Sequence, residues 1–204
     1  MFAEAFKKME LAEAATVLDE INPALEGTPF DPVEATVMTH DLPFYPGYLF
    51  LDVADFSVNP PARRFVVYKP GNFVVLDWTN GPIYALNKKV PIRLNDETVA
   101  DYARFFFTYI RGRHGRFIIT ENVDDINWKE DPPPAARKAI GKMLGPVTIK
   151  NKADNGTYCL EARVMFKDSL FKTNIFVKPD GTVTLSDEEL LIEDMPVLDD
   201  VFGQ

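Results

Sequence analysis

The segment from residue 96 to residue 111 constrains the fold more than any other feature. Asn95 is a good N-cap, and Asp96 and Glu97 place negative charge in the first turn, so a helix is predicted. Its polar stripe holds only four residues, which is far narrower than on a surface helix, so the helix is predicted to be buried. The stripe consists of Asp101, Arg104, Thr108 and Arg111, and the apolar and aromatic surface consists of Val99, Tyr102, Ala103, Phe105, Phe106, Phe107, Tyr109 and Ile110.

Antiparallel strands are predicted on both sides of this helix, because short β-branched and aromatic runs alternate with turn sequences. Residues 64–87 are interpreted as a three-stranded meander with turns at residues 69–72 and at Asn80-Gly81. Residues 158–167 alternate with a period of two, which predicts a strand with one buried face and one mostly solvent-exposed face. A turn at residues 178–181 leads into a second meander. The pattern leaves open whether the two meanders form one sheet or two.

The first 21 residues are predicted to form a helix, and residues 22–47, with five prolines, a connection without regular structure. A strand at residues 117–120 and a short helix from Pro134 to Leu144 complete the elements. The predicted organisation is therefore an amino-terminal helix and connection over residues 1–47, followed by an α+β domain over residues 48–204, in one compact domain.

The fold class is α+β: antiparallel strands in two meanders pack on the long buried aromatic helix in a roll-like arrangement, with an added amino-terminal helix. This arrangement resembles the general architecture of cystatin-like rolls. The likeness is architectural and does not fix a function.

Charge is distributed unevenly over a chain whose net charge is −9. Residues 1–60 carry a net charge of −9, residues 61–152 of +7, and residues 153–204 of −7. A basic centre between acidic ends can mark a face that binds an anion. It is equally explained by acidic ends that fold over the basic centre.

Several classes of partner are not expected. The acidic total and the lack of a recognised motif argue against nucleic acid. No segment reaches membrane-spanning length or forms the apolar run of a signal peptide. The single cysteine, Cys159, is expected to be a small packed or half-exposed residue, and a lone cysteine suits a reducing compartment such as the cytoplasm. No cofactor is predicted, because neither a Walker sequence nor a dinucleotide fingerprint is present.

The sequence "RGRHGR" at residues 111–116 is the best candidate for a binding site. Guanidinium groups bind carboxylate or phosphate with two hydrogen bonds, and the window from residue 104 to residue 116 contains four arginines and no acid. The alternative is that positive charge stabilises the carboxyl end of the helix, by ~0.3–1 kcal/mol for each residue. The predicted anion-binding residues are Arg104, Arg111, Arg113, His114 and Arg116.

Acidic residues follow this turn, at Glu121, Asp124, Asp125, Glu130 and Asp131. Their oxygens suit a hard cation, but pairing with the neighbouring arginines explains them more simply, and no metal site is predicted. Catalytic residues remain unknown, because serines and histidines are few and His40 is expected to lie in a loop. The enzyme alternative is a site in a concave sheet that uses His114 and nearby carboxylates such as Glu121.

The leading functional hypothesis is a non-catalytic cytoplasmic binding or interaction protein. Its partner would be a small anionic ligand or another protein, contacted through the amino-terminal helix or the aromatic loop at residues 44–50, "FYPGYLF". A homodimer through residues 1–21 is also predicted, because Phe2, Phe6 and Met9 would form an apolar stripe on a terminal helix.

Overall fold

The computed structural model describes residues 6–112 and 115–198. The chain divides into two compact units. Of the described residues, the N-terminal unit comprises 6–77 and 81–93, and the C-terminal unit comprises 78–80, 94–112 and 115–198. Each unit contains an antiparallel sheet and helices, so the α+β class is confirmed.

The sheet of the N-terminal unit is a five-stranded meander in which each strand pairs with the next along the chain. Helix α1 (Leu11–Ile21) buries Val17, Leu18 and Ile21 in a core shared with Val37 and Leu51 of the sheet. A second helix, α2 (Gly81–Lys89), contacts the last strand. The strands are β1 (Lys7–Lys8), β2 (Thr36–Asp41), β3 (Leu49–Asp55), β4 (Ala62–Lys69) and β5 (Asn72–Leu76).

The C-terminal unit contains helices α3 (Val99–Tyr109) and α4 (Pro134–Gly141). Its strands are β6 (Phe117–Ile119), β7 (Thr148–Lys152), β8 (Tyr158–Phe166), β9 (Ser169–Val177) and β10 (Val183–Ile192). They form one sheet in the order β10-β9-β8-β6, with β7 also paired to β8. The two predicted meanders therefore lie in two separate sheets.

Helix α3 is the buried aromatic helix that the sequence predicted. Tyr102 and Phe105 are fully buried, and the hydroxyl of Tyr102 donates a hydrogen bond of 2.7 Å to the carbonyl of Gly181. The predicted start was three residues early, because the helix begins at Val99 with Thr98 as its N-cap. The side chain of Asn95 accepts hydrogen bonds from the backbone N–H groups of Glu97 and Thr98, both at 3.0 Å, in the turn that precedes the helix. The roll-like packing of both meanders around this helix stays a prediction.

Strand β8 is buried on both faces along part of its length, so the predicted alternation of buried and exposed side chains holds only in part. Leu160, Ala162 and Val164 are buried, as predicted for one face. Cys159 and Met165 on the other face are buried as well, although that face was expected to be mostly solvent-exposed. Met165 belongs to a second core cluster, in which segments after β10 and around α4 cover this part of the sheet; its other buried members are Ile126, Leu170, Met195 and Val197.

Three predicted elements were wrong. The third strand of the first meander is helix α2, in which Gly81-Pro82 begins a helix and the buried Ile83 and Leu86 lie on one helical face. The first helix begins only at Leu11, because Lys7–Lys8 pairs with β2 as a strand. Residues 22–47 are not an irregular connection throughout, since they contain β2.

The predicted division into residues 1–47 and 48–204 stays a prediction. None of the helices in the described part of the chain is long and apolar enough to span a membrane.

Candidate functional site

Arg104, the first residue of the predicted anion site, contacts two carboxylates of the protein itself. Its Nε and Nη2 donate hydrogen bonds to the two oxygens of Glu121, both at 2.8 Å, and its Nη1 donates to Asp101 at 2.7 Å. The hydrogen bond with Glu121 is the main reason why the pKa of Arg104 is raised. This guanidinium is therefore used within the fold.

Glu121 is the acceptor of that pair, and it also accepts a hydrogen bond from the backbone N–H of Val147 at 2.8 Å. Burial alone would raise the pKa of Glu121, but the hydrogen bonds from Arg104 and Val147 outweigh it and lower the pKa. The carboxylate therefore stays ionised at neutral pH. The expected pairing of the acidic loop with the neighbouring arginines is confirmed for Glu121 and Arg104, whereas Asp124 pairs instead with Arg137 of α4.

Arg116 contacts the carboxyl end of α3. The helix ends at Tyr109 because Ile110 adopts an extended conformation. The Nη2 of Arg116 donates a hydrogen bond of 3.0 Å to the carbonyl of Thr108, in the last helical turn, where carbonyl groups lack intrahelical partners. This contact matches the alternative interpretation of the basic turn, in which positive charge stabilises the end of the helix.

Arg111 packs on an aromatic ring. Its guanidinium carbon lies 4.2 Å from the centre of the Trp78 ring, and its backbone N–H donates to the Trp78 carbonyl at 2.7 Å. Trp78 has a φ of +68°, a conformation that bulky residues rarely adopt and that surrounding contacts must maintain. The contact between Arg111 and Trp78 thus stabilises one side of the basic turn.

The remaining predicted residues, Arg113 and His114, lie outside the described residues. On either side of them, Gly112 and Gly115 form an antiparallel bridge, with N–H to carbonyl distances of 2.9 and 3.2 Å. Convergence of all five residues on one anion therefore stays a prediction.

A pocket of about 30 Å³ opens beside Arg116. Its floor is apolar, because Ile126, Met165 and Val197 are buried there. Two positively charged residues line it, the partly buried Arg116 and the exposed Lys167. The other lining residues are Gly115, Ile118, Asp125, Asn127 and Leu198.

Backbone hydrogen bonds hold the walls of this pocket. Antiparallel pairing of β6 with β8 places Ile118 opposite Met165. The final described segment lies beside the loop after residue 125, because the N–H of Leu198 donates to the Asn127 carbonyl at 2.7 Å. The carboxylate of Asp125 accepts two backbone hydrogen bonds, at 2.8 and 2.9 Å, which fixes that loop. The pocket is therefore preformed in the structure.

Sequence reasoning missed Lys167 as a site residue. Lys167 and Asp168 separate two runs of alternating residues, which signals a two-residue turn. Lys167 has a φ of +55°, and its Nζ lies 5.6 Å from the centre of the Phe166 ring. Nothing local in the sequence indicates that this turn lies near Arg116 or near Val197.

Two other predicted contact surfaces need correction. The aromatic loop at residues 44–50 is not an exposed surface, because Phe44 and Tyr45 are completely buried and the hydroxyl of Tyr45 donates to Asn87. His40 does not lie in a loop but in β2, where it is buried and packs beside the ring of Phe6. Cys159 is buried, as expected.

The apolar stripe behind the predicted homodimer is partly covered by the chain itself. Met9 belongs to the core of the N-terminal unit, and the ring of Phe6 lies 6.0 Å from that of Phe50. Phe2 lies outside the described residues. A homodimer through residues 1–21 stays a prediction.

Within residues 6–112 and 115–198, no group of three or more histidine, cysteine, aspartate or glutamate residues could hold a metal ion. Comparisons of the chain with protein-family models, with curated proteins and with solved structures found no match.

Proposed function

We propose that this chain is a non-catalytic binding module and that the pocket beside Arg116 binds an anionic group joined to a small apolar group. The proposal rests on the combination, in one pocket, of a buried apolar floor with two cations, the exposed Lys167 and the partly buried Arg116, whose Nη2 also binds the Thr108 carbonyl. The one acid in the lining, Asp125, accepts two backbone hydrogen bonds. Convergent polar groups in an apolar pocket are typical of binding sites.

The two parts of the pocket select different parts of a ligand. A carboxylate or phosphate gains charge-assisted hydrogen bonds from a guanidinium or ammonium group. An apolar group that contacts Ile126 and Met165 displaces water from their surfaces, which is favourable in proportion to the area covered. A ligand with both parts is therefore favoured over a simple inorganic anion.

The volume of the pocket limits the size of the bound group. A volume of about 30 Å³ holds two or three water molecules, since one needs roughly 10–15 Å³ on this measure. Pockets that enclose a whole cofactor or drug-sized ligand are roughly 300–1,000 Å³. The pocket therefore suits a small branched carboxylate, or the tip of a larger partner, rather than an entire nucleotide.

The enzyme alternative is less well supported by the same contacts. Glu121, its candidate carboxylate, binds Arg104 and the N–H of Val147, and its pKa is lowered, so it is poorly suited to donate a proton at neutral pH. We therefore favour binding over catalysis, in the reducing cytoplasm that the single cysteine suggests.

Thermal denaturation with phosphate, acetate and 3-methylbutanoate tests the proposal. We expect the largest increase in melting temperature with 3-methylbutanoate, because only this probe combines a carboxylate with a branched apolar group. Saturation at a hundredfold excess over the dissociation constant corresponds to ~2.7 kcal/mol. The increase should shrink with added salt, because exposed charges are screened.

Two lysine variants localise the effect. Lys167→Gln removes a cation at the pocket, whereas Lys178→Gln removes an equally exposed cation outside its lining. We expect Lys167→Gln to lose most of the ligand-dependent increase and Lys178→Gln to keep it. No increase with any probe, or equal increases in both variants, would reject the proposal.

A further inference from the structure

Three exposed apolar side chains lie in segments at one end of the sheet of the N-terminal unit. Val33, Phe56 and Val58, here called the apolar tip, are 77, 73 and 39 % exposed. Thr36 lies opposite Ala54 in the β2–β3 pairing, so the segment before β2 and the segment after β3 leave the sheet at the same end. Exposed apolar side chains at one end of a sheet are suited to an interaction surface.

Carboxylates hold two parts of this tip in position. The side chain of Asp31 accepts a hydrogen bond from the N–H of Val33 at 2.7 Å. The buried carboxylate of Asp55 accepts hydrogen bonds from the backbone N–H and the hydroxyl of Ser57, at 2.8 and 2.6 Å. Val33 and Phe56 are thus displayed on turns fixed by hydrogen bonds, which lowers the entropy cost of binding through them.

The segment around Val33 is acidic, because the exposed Asp31 and Glu34 flank it and residues 26–35 contain three acids and no base. Arg63 and Arg64 lie at the same end of the sheet, where Arg63 pairs with Asp52 and Arg64 binds the Glu26 carbonyl. The pocket is lined by two cations, Arg116 and Lys167, and by Asp125, whose carboxylate accepts two backbone hydrogen bonds, around an apolar floor. A branched side chain of the size of valine also suits the space of two or three water molecules that the pocket provides.

We infer that the pocket binds a second copy of this chain, with Val33 of one copy in the pocket of the other and with Asp31 and Glu34 facing Arg116 and Lys167. This inference rests on the proposed function of the pocket and names its occupant. The contact joins two different surfaces of the protein, so it is heterologous. Successive copies therefore add head to tail and form either a closed ring or an open filament.

Sedimentation velocity from micromolar to near-millimolar concentration tests the inference on the full-length protein. We expect the average mass to rise with concentration and to fall with added salt. Val33→Lys on the tip and Lys167→Glu at the pocket should each weaken association by roughly tenfold or more, because each loses apolar burial or charge pairing. Leu11→Lys and Lys178→Glu are the matched controls, because they make the same kinds of change at other exposed sites.

Mixing the two variants provides the sharpest test. Val33→Lys keeps an intact pocket and Lys167→Glu keeps an intact tip, so an equimolar mixture should form dimers and nothing larger. Circular dichroism should show that both variants are folded. A native protein that stays monomeric, an equal loss in Leu11→Lys, or a mixture that does not associate would overturn the inference.

Failure of this inference can be told apart from failure of the proposed function. Val33→Lys should retain the full response to 3-methylbutanoate, because its pocket is unchanged. A native protein that binds this probe but stays monomeric would reject the second copy as occupant and leave the proposed function standing. Self-association that Lys167→Glu leaves unchanged, without any response to small carboxylates, would reject both the inference and the proposed function.

Discussion

Arg104 and Glu121 form a two-hydrogen-bond ion pair between helix α3 and the segment after β6, with both N–O distances at 2.8 Å. Both side chains are largely buried, with 17 and 15 % of their surfaces exposed. Replacing one member of such a pair leaves the charge of the other member without a partner in a poorly solvated site. The pair therefore contributes to the stability of the C-terminal unit.

Glu121→Gln should lower the free energy of unfolding by about 3 kcal/mol at pH 7, the lower end of the range for a broken buried pair. Because the pKa of Glu121 is lowered on folding, its contribution is complete above the unfolded value of 4.5 and is lost as the pH falls through the folded value. Urea denaturation at pH 7 and below pH 4 should show the difference between native protein and variant shrinking with acid. Replacement of the exposed Glu130 by Gln is the control. An equal loss of stability in that variant would contradict the assignment of the effect to the pair of Arg104 and Glu121.

Phe106→Ala should destabilise the protein by roughly 3–5 kcal/mol, because it leaves a cavity along the buried side of α3. Chemical denaturation measures the change. An unchanged midpoint would contradict the buried position of this helix.

Arg116→Gln should lower the free energy of unfolding by about 1 kcal/mol, the usual net value of one hydrogen bond, because the contact with the Thr108 carbonyl is lost. A side chain that points only into water would change stability by no more than about 0.5 kcal/mol. Urea denaturation of the native protein and the variant separates these two cases.

Gly115→Ala tests the geometry of the basic turn. Gly115 has a φ of +137°, and an added Cβ would lie 3.1 Å from Cε2 of Phe166, so we expect a loss of about 1–3 kcal/mol. Gly145→Ala is the control, because a Cβ there meets nothing within 4 Å. Equal midpoints of thermal denaturation for the two variants would show that the turn tolerates a side chain.

Local patterns predicted the parts of the fold that local forces determine. Helix α3 was predicted because its narrow polar stripe is a sequence feature, although its start was placed at residue 96 rather than at Val99. The hairpin of β4 and β5 was predicted from its proline-glycine turn. Helix α2 was mistaken for a strand because Gly81-Pro82 suits both a turn and a helix start, and the packing of Ile83 and Leu86 decides between them.

The candidate site was predictable only in part. The basic turn drew attention to Arg116, and the acidic loop suggested the pairing of Glu121 with an arginine. The pocket itself depends on long-range contacts, since Lys167 and Val197 reach Arg116 only after β6 has paired with β8 and the last described segment has joined the loop near Asn127. A single sequence carries no local signal for such contacts.

An NMR titration of the isotope-labelled full-length protein with 3-methylbutanoate tests most directly whether the pocket binds a branched carboxylate. We expect saturable shifts of the amide signals of Gly115, Arg116, Lys167 and Val197, which line the pocket, and little change at Lys178, which does not. Saturable shifts confined to other residues, or no shifts at concentrations near millimolar, would contradict the proposed function.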